Sequence, residues 1–417
     1  MRFLVVLCSL YLTFFVGHLA VAAQPPPTLN VEEAVKQAIR NNPRLSASTR
    51  DVLAAQQGSR AARALANPQI VFAPSLTGVG SDTEALIQQP LELNGTRAAR
   101  ADAAQARLRA TVADSTTALR DLVFDTKAAY YGLARARGQL ALSQDLLRAS
   151  QEFNSLTRQG VELGSRPAVE QIQSGIEVVR ARQQVTLARS QADRAQAALD
   201  TLMGRSPEIP VEALAPLPTV FTSVDHDASL RQALAARTDI TSAEAMAQAL
   251  RQDARGVRAE GLPDLAPQYR ATSVTRGVRD SGIGIGLTLP LLDYGSRRSR
   301  MRQAEEAARA QEDRATALRA RVRQEVEQAI SQVQASDTVL ADYPQGLLGQ
   351  ARGLLDASRL GYQEGKTSII ALLEAQRTYR AVENEYIDAQ VNAVLARAEL
   401  ERAAGSFPST ALIEKVK

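Results

Sequence analysis

The stretch Arg359-Leu360-Gly361-Tyr362-Gln363-Glu364-Gly365-Lys366 is a second writing of Arg158-Gln159-Gly160-Val161-Glu162-Leu163-Gly164-Ser165, with the arginine and both glycines returning at an offset of 201. Upstream, Pro90-Leu91, Gly95, Arg97 and Arg100 return as Pro290-Leu291, Gly295, Arg297 and Arg300 at an offset of 200. Nearer the start, Lys36-Gln37-Ala38 and Leu45 answer Arg231-Gln232-Ala233 and Ile240 at an offset of 195. Three blocks in one order, at nearly constant offsets, mean that a single unit of about 200 residues occurs twice.

The duplication divides the 417 residues. Residues 1–23 read as a signal peptide: Arg2, an apolar run from Phe3 to Leu19, then a small-residue cleavage pattern at Ala20-Val21-Ala22 or Val21-Ala22-Ala23. The first repeat is expected over 24–206 and the second over 225–405. Pro207, Pro210, Pro216 and Pro218 mark 207–224 as an extended linker, and 406–417 read as a loose tail.

Composition narrows the class. Cys8 is the only cysteine and leaves with the signal, so the mature chain has no thiol for disulfides, metal binding or nucleophilic chemistry. Only His226 then remains of the histidines, and it reads as a surface residue. There is no His-Glu-x-x-His, phosphate-binding glycine loop or Gly-x-Ser-x-Gly, which argues against an enzyme and leaves no cofactor or metal site expected. Hydrophobic content is 45% but aromatic content 4%, so alanine carries much of the apolar surface and suits closely packed helices. The net charge of +4 comes from scattered arginines, unlike the one-sided basic patch of a nucleic-acid binder. Past the signal no apolar run reaches the roughly 18 residues of a transmembrane helix, so any membrane crossing must use strands.

Each repeat predicts the order helix, strand pair, long helix, glycine turn, helix. Asn30 with Glu33 forms a capping-box start, Asp225 caps the counterpart, and Asn42-Pro43 interrupts the first helix. Ile283, Ile285, Leu287 and Leu289 alternate with Gly282, Gly284, Gly286 and Thr288; Ile70, Phe72 and Leu76 alternate with Val71, Ala73, Ser75 and Thr77. Partner strands are expected near 82–90 and 265–276, each strand about 10 residues long, the length that crosses a bilayer when tilted. Turns are expected at 78–82 and 276–280. From Gly95 to about Leu156 a proline-free helix would reach roughly 90 Å at about 1.5 Å per residue, and its counterpart from Gly295 to about Leu360 should break at Pro344. Leu372, Ala375, Tyr379, Val382, Tyr386, Ala389, Ala393, Ala396 and Leu400 form a heptad seam.

Four membrane-length strands cannot close a barrel alone, and open edges in lipid cost several kcal/mol for each stranded backbone group. Three copies would supply about twelve strands, within the range of outer-membrane barrels. The long helices would form a second, wider ring.

With these parts in this order the chain resembles the TolC-type outer-membrane efflux proteins over essentially all of its mature length. Carrying the resemblance are Leu29-Asn30-Val31-Glu32-Glu33-Ala34 leading to Asn41-Asn42-Pro43, the Pro90/Gly95/Arg97 and Pro290/Gly295/Arg297 blocks, and Gly361 to Gly365 followed by Leu372-Leu373-Glu374-Ala375-Gln376. The block Gln89 to Arg97 is most similar to the heavy-metal cation efflux (CzcC-like) branch. The resemblance implies a mainly α homotrimer, with four transmembrane strands per chain completing a 12-stranded β-barrel in the outer membrane and a coiled-coil barrel in the periplasm. It implies partners in a periplasmic adaptor and an RND-type inner-membrane pump, and passive passage of cargo. Metal cations lead as cargo, then drugs, then type I secreted polypeptides. Besides an enzyme, a third class is a rod-like periplasmic coiled-coil adaptor, which would not need membrane-length strands.

Function is expected where the long helices reverse, at Gly160/Gly164 and Gly361/Gly365, whose repeated spacing of four suggests adaptor docking as well as a turn. The resemblance also places a gate there. Tyr362 matches the family's gate tyrosine; Thr367 stands where the family has a basic residue, with Lys366 one position earlier; and the acidic constriction positions fall on Ala371 and Glu374. Three copies of Glu374 at a throat would favour cations. Arg97 and Arg297, opening the long helices at the barrel junction, would bind phosphate head groups or pair with carboxylates.

Overall fold

The computed structural model describes residues 29–73, 84–206, 214–218, 221–272, 280–288 and 294–406. The expected signal 1–23, the hairpin turns at 78–82 and 276–279, Pro290 and the tail from 407 lie outside them.

Local signals set the helix boundaries. Asn30 Oδ1 accepts the Glu33 N–H at 2.7 Å and starts α1 (Val31–Asn41); Asn42 then caps α2 (Pro43–Arg63) by accepting the Arg44 N–H at 2.9 Å. In the second repeat Asp225 accepts the Ala228 N–H and starts α5 (His226–Ala236), and the break recurs at Arg237 before α6 (Thr238–Ala259). The long helix α3 (Thr96–Glu162) runs 67 residues without interruption, about 100 Å at 1.5 Å per residue. Its counterpart divides at Pro344, into α7 (Ser296–Asp342), a π turn (Tyr343–Leu347) and α8 (Leu348–Gln363). The hairpins return through α4 (Ala168–Met203) and α9 (Ile369–Ala403).

Alanine lets these helices approach closely. Ala99, Ala103, Ala106, Ala110 and Ala113 form a buried seam on α3, and Ala245, Ala247 and Ala249 are buried on α6. The seam expected on α9 is buried at Leu372, Ala375, Val382, Ala389, Ala393, Ala396 and Leu400, with Tyr379 and Tyr386 partly covered. The two repeats also close alike. Asn42 Nδ2 donates to the Leu202 carbonyl at 2.9 Å, and Arg237 Nη1 donates to the Ala403 carbonyl at 3.2 Å, so each helix break grips the end of its own repeat's last helix. Tyr130, Leu133 and Leu199 centre one core, and Ile330, Val333 and Leu400 occupy the matching places in the other.

The four strands form one antiparallel sheet in chain order: β1 (Gln69–Ala73), β2 (Glu84–Gln88), β3 (Asp264–Thr272) and β4 (Asp280–Thr288). The second pair reaches nine residues each, while the described parts of the first pair are five each; Asp280, expected in a turn, opens β4. Register separates the faces rung by rung. Ile70, Ile87, Tyr269 and Ile283 stand opposite one another across all four strands, and the neighbouring rung is Gln69, Gln88, Gln268 and Gly284. Gln88 Nε2 donates to Gln69 Oε1 at 2.8 Å on that polar face. On the apolar face Ile283 and Ile285 are 90% and 73% exposed, an arrangement suited to lipid on one side and water on the other. Pro90 follows β2 without breaking the ladder, because the flanking Gln89 and Leu91 N–H groups donate to Pro267 and Leu265 carbonyls at 3.0 Å. Among the described residues β1 and β4 are each paired on one side only.

Candidate functional site at the hairpin tips

Both helix reversals close by one hydrogen-bond pattern. In the first, Ser165 N–H donates to the Gly160 carbonyl at 2.9 Å and Gly164 N–H to the Val161 carbonyl at 3.0 Å, with Gly164 left-handed at φ +70°. In the second, Lys366 N–H donates to Gly361 at 2.7 Å and Gly365 N–H to Tyr362 at 3.1 Å, with Gly365 at φ +73°. This is the Schellman ending, in which the residue after the cap must tolerate positive φ. The earlier glycine has its own cause: a Cβ on Gly160 would lie 2.8 Å from Arg166 Cδ, and one on Gly361 would lie 2.8 Å from Thr367 Cγ2. The turn therefore accounts for Gly164, Gly365 and, against branched Thr367, Gly361, whereas at Gly160 an added Cβ would meet only the flexible Arg166 side chain.

The structure brings Tyr362 into a cluster between the hairpins. Its side chain is 4% exposed, and its hydroxyl donates to Glu170 Oε2 at 2.6 Å. The Arg166 guanidinium lies 3.8 Å from the ring centroid, and its Nη2 donates to the Tyr362 carbonyl at 3.0 Å. Phe153 packs on the ring at 5.1 Å. Burial, reinforced by the bond to Glu170, raises the Tyr362 pKa above its ordinary value, so the phenol stays a donor. Sequence reading missed Arg166, Glu170 and Phe153. The 201 offset could have found two of them, since Thr367 and Ala371 correspond to Arg166 and Glu170. The charges lacking from the second hairpin are present in the first.

Lys366 and Glu364 form an exposed ion pair at 2.6 Å, outside this cluster. Glu374 is exposed and faces Arg377 at 3.6 Å; Arg377 also reaches Glu177 on α4 at 3.3 Å. A cavity of about 290 Å³ lies between α3, α8 and α9, lined chiefly by Leu146, Phe153, Leu156, Leu355, Tyr362 and Leu372. Around the tips Leu163, Val169, Ile172, Leu360 and Ile370 are exposed.

At the other end of the long helices, Gly95 and Gly295 precede α3 and α7 with φ +94° and +82°. Arg100 and Arg300 each hold a carboxylate there. Arg100 grips Glu92 at 2.6 and 3.0 Å and also donates to the Ala62 and Ala64 carbonyls; Arg300 pairs with Glu260 at 2.8 Å. The Arg100 hydrogen bonds lower the Glu92 pKa, with a smaller contribution from the Arg97 charge. Arg297 lies over Gly261, where a Cβ would come within 2.6 Å of its Nη1.

Comparison with known proteins fits this geometry. The model of the outer membrane efflux protein family matches residues 34–205 and again 229–406. Cobalt-zinc-cadmium resistance protein CzcC of Cupriavidus metallidurans is 25% identical over 358 residues, 84% of each chain. Pyoverdine export outer membrane protein OpmQ of Pseudomonas aeruginosa is 27% identical over 310 residues, 72% of this chain and 64% of that protein. The crystal structure of CusC and a solved structure of the outer-membrane channel OprN superpose with TM-scores of 0.78 and 0.79 at 19% and 20% identity, each over 90% of this chain and over 92% and 90% of theirs. With its duplicated helical hairpins and four-stranded sheet, and with the family's model matched in both halves, the chain belongs to the outer membrane efflux protein family.

Proposed function

We propose that this chain is the exit duct of a tripartite efflux system, working as a homotrimer in which the free edge of β1 on one copy pairs with β4 on the next. The observation that carries the proposal is the sheet itself. It has one apolar face, one polar face and two edges without partners among the described residues, which lipid would not tolerate unless neighbouring copies closed them. Native mass spectrometry of the detergent-extracted protein tests this directly: a trimer is expected, and a monomer at every concentration would overturn it.

The hairpin tips would meet a periplasmic adaptor, which in turn engages an RND-type inner-membrane pump. Support comes from the exposed Leu163, Val169, Ile172, Leu360 and Ile370 rather than from the glycines. The gate reading places Tyr362 as the tie between α8 and α4, with Lys366 and Glu374 as exposed charges near the mouth. Glu374→Ala trimers in planar bilayers should lose cation preference in reversal-potential measurements; an unchanged preference removes Glu374 from the throat. Heavy-metal cations are the proposed cargo, by the likeness to CzcC over most of both chains. Export of an organic cargo is the second reading, favoured by the likeness to the pyoverdine export protein OpmQ. Metal sensitivity of a deletion strain, complemented by this gene, would separate the two.

A further inference from the structure

Across the hairpins α4 packs on α3, α3 on α9 and α9 on α8, so α4 and α8 form the two edges of the helical layer. The order runs from first repeat to second, as it does in the sheet between its edges β1 and β4. Each edge helix carries a stripe for which the chain itself has no use. On α4, Ser174 is fully buried and donates to Asn154 Oδ1 on α3 at 2.9 Å. Ile172 and Ile176 stand two residues either side of it, about 200° around the helix, and so face away from α3. With Val179 they make an exposed apolar row at the alternating spacing of a coiled-coil seam.

The stripe on α8 is the complement of that row. Ala351 is buried in the cluster that includes Val382 of α9. Gly349 and Gly353 stand two residues either side of it and so face away from α9. Gly346 precedes them, and Ala357 and Leu360 continue the row toward the turn. Glycine is among the poorest helix formers. A Cβ on Gly346, Gly349 or Gly353 would meet nothing within 4 Å, so no neighbour among the described residues requires them. What bare backbone in a helix permits is close approach by another chain.

Height matches as well. Tyr362 bonds to Glu170, which keeps the two turns of one chain level, and a three-fold rotation about an axis along the helices keeps every copy at that height. Counted from Ala168 and Gln363, the helix ends at the turns, Ile172, Ile176 and Val179 fall within two residues of Leu360, Ala357 and Gly353.

We propose that α4 of each copy packs antiparallel against α8 of the next, with Ile172, Ile176 and Val179 seated over Leu360, Ala357, Gly353 and Gly349. The occupant of both stripes is a second copy of this chain. Leu163, Val169 and Ile370 remain exposed at the tips for an adaptor. The inference rests on the homotrimer proposed above and places a contact between copies far from the strands.

Cys8, the sole cysteine, lies in the expected signal, so paired cysteines can be introduced without interference. Full-length Val179→Cys/Gly353→Cys, extracted in detergent and oxidised, should run as a covalent trimer on a non-reducing gel. Val179→Cys/Gly346→Cys, about 10 Å out of register, should run as a monomer there. Native mass spectrometry of the same samples reads the subunit number independently. A native trimer whose Val179/Gly353 pair stays reduced overturns the seam and leaves the proposed assembly standing, as does equal cross-linking of the Gly346 pair. A native monomer from the unsubstituted protein overturns both. Gly349→Leu/Gly353→Leu supplies a second measurement: helix content by circular dichroism should hold or rise, while the trimer should dissociate about ten-fold more readily because the contact is overfilled. Unchanged trimer stability in that variant overturns the seam.

Discussion

The two hairpins share a backbone and differ in chemistry. Each ends in the same Schellman turn with glycine at both special places, yet the first carries Arg166 and Glu170 where the second carries Thr367 and Ala371. The second in turn carries Tyr362 where the first has Val161. Ring, guanidinium and carboxylate meet only because the hairpins lie side by side. Duplication fixed the scaffold, and divergence split one cluster between its two copies.

The largest test of this comparison lies at the closing contacts. Arg237 is buried beside Asp239 at 2.6 Å and Glu325 at 2.8 Å; burial opposes its charge, but the bonds to both carboxylates outweigh it and raise its pKa. Arg237→Ala should cost about 3 kcal/mol by leaving Glu325 unmatched and Asp239 with only Arg120 at 3.8 Å. Asn42→Ala, in the equivalent place, should cost about 1 kcal/mol, a lost cap. Denaturant unfolding in detergent followed by circular dichroism measures both, and equal losses would refute the asymmetry.

Next in size is the tip cluster. Tyr362→Phe removes a hydrogen bond to a carboxylate, worth about 1.5–3 kcal/mol, and should speed amide exchange locally over 360–370. Writing the pair into the second hairpin as Thr367→Arg/Ala371→Glu should not restore protection, because its natural partner position holds Val161. Restoration would mean the cluster is not specific to one hairpin.

A smaller effect separates the glycines. Gly164→Ala and Gly365→Ala should each cost about 1–2 kcal/mol, the strain of a left-handed Cβ. Gly160→Ala should cost less than Gly361→Ala, since Arg166 can swing away whereas branched Thr367 cannot. Limited proteolysis at the tips would rank the four variants.

The smallest effect concerns His226, whose ring bonds to Asp227 and Glu327 hold its pKa above 6.5. A raised pKa stabilises below the unfolded value and is lost as pH climbs through the folded one. The imidazole NMR titration should therefore turn over above 6.5, and His226→Gln should matter only on the acidic side of that midpoint. A midpoint at or below 6.5 would show that the ring is not clamped between α5 and α7.

Much of this architecture is written locally. Asn30, Asn42-Pro43 and Asp225 set helix ends through side chains a few residues away, Pro344 deprives one turn of a donor, and the α9 seam repeats every 3.5 residues. These signals can be read without knowing what lies nearby in space. The Tyr362 cluster could not, because Glu170 is 192 residues away in the chain and no local period links them. The clamps at the junction were illegible for the same reason: Arg100 and Arg300 carry the repeat signature, but what each meets depends on where α2 and α6 end.

The offset between repeats is 200 at Gly95/Gly295 and 201 at Gly160/Gly361, so the second long helix holds one residue more than the first. The π turn at Tyr343–Leu347 is where that residue is absorbed: Leu348 N–H reaches back five residues to the Tyr343 carbonyl instead of four. Left in a regular helix, the extra residue would swing everything downstream by about 100° and turn the packed stripe of α8 out of its groove. One loosened coil keeps phase on both sides. It also makes the second arm of the protomer the one with a built-in joint, while the first remains a single unbroken helix.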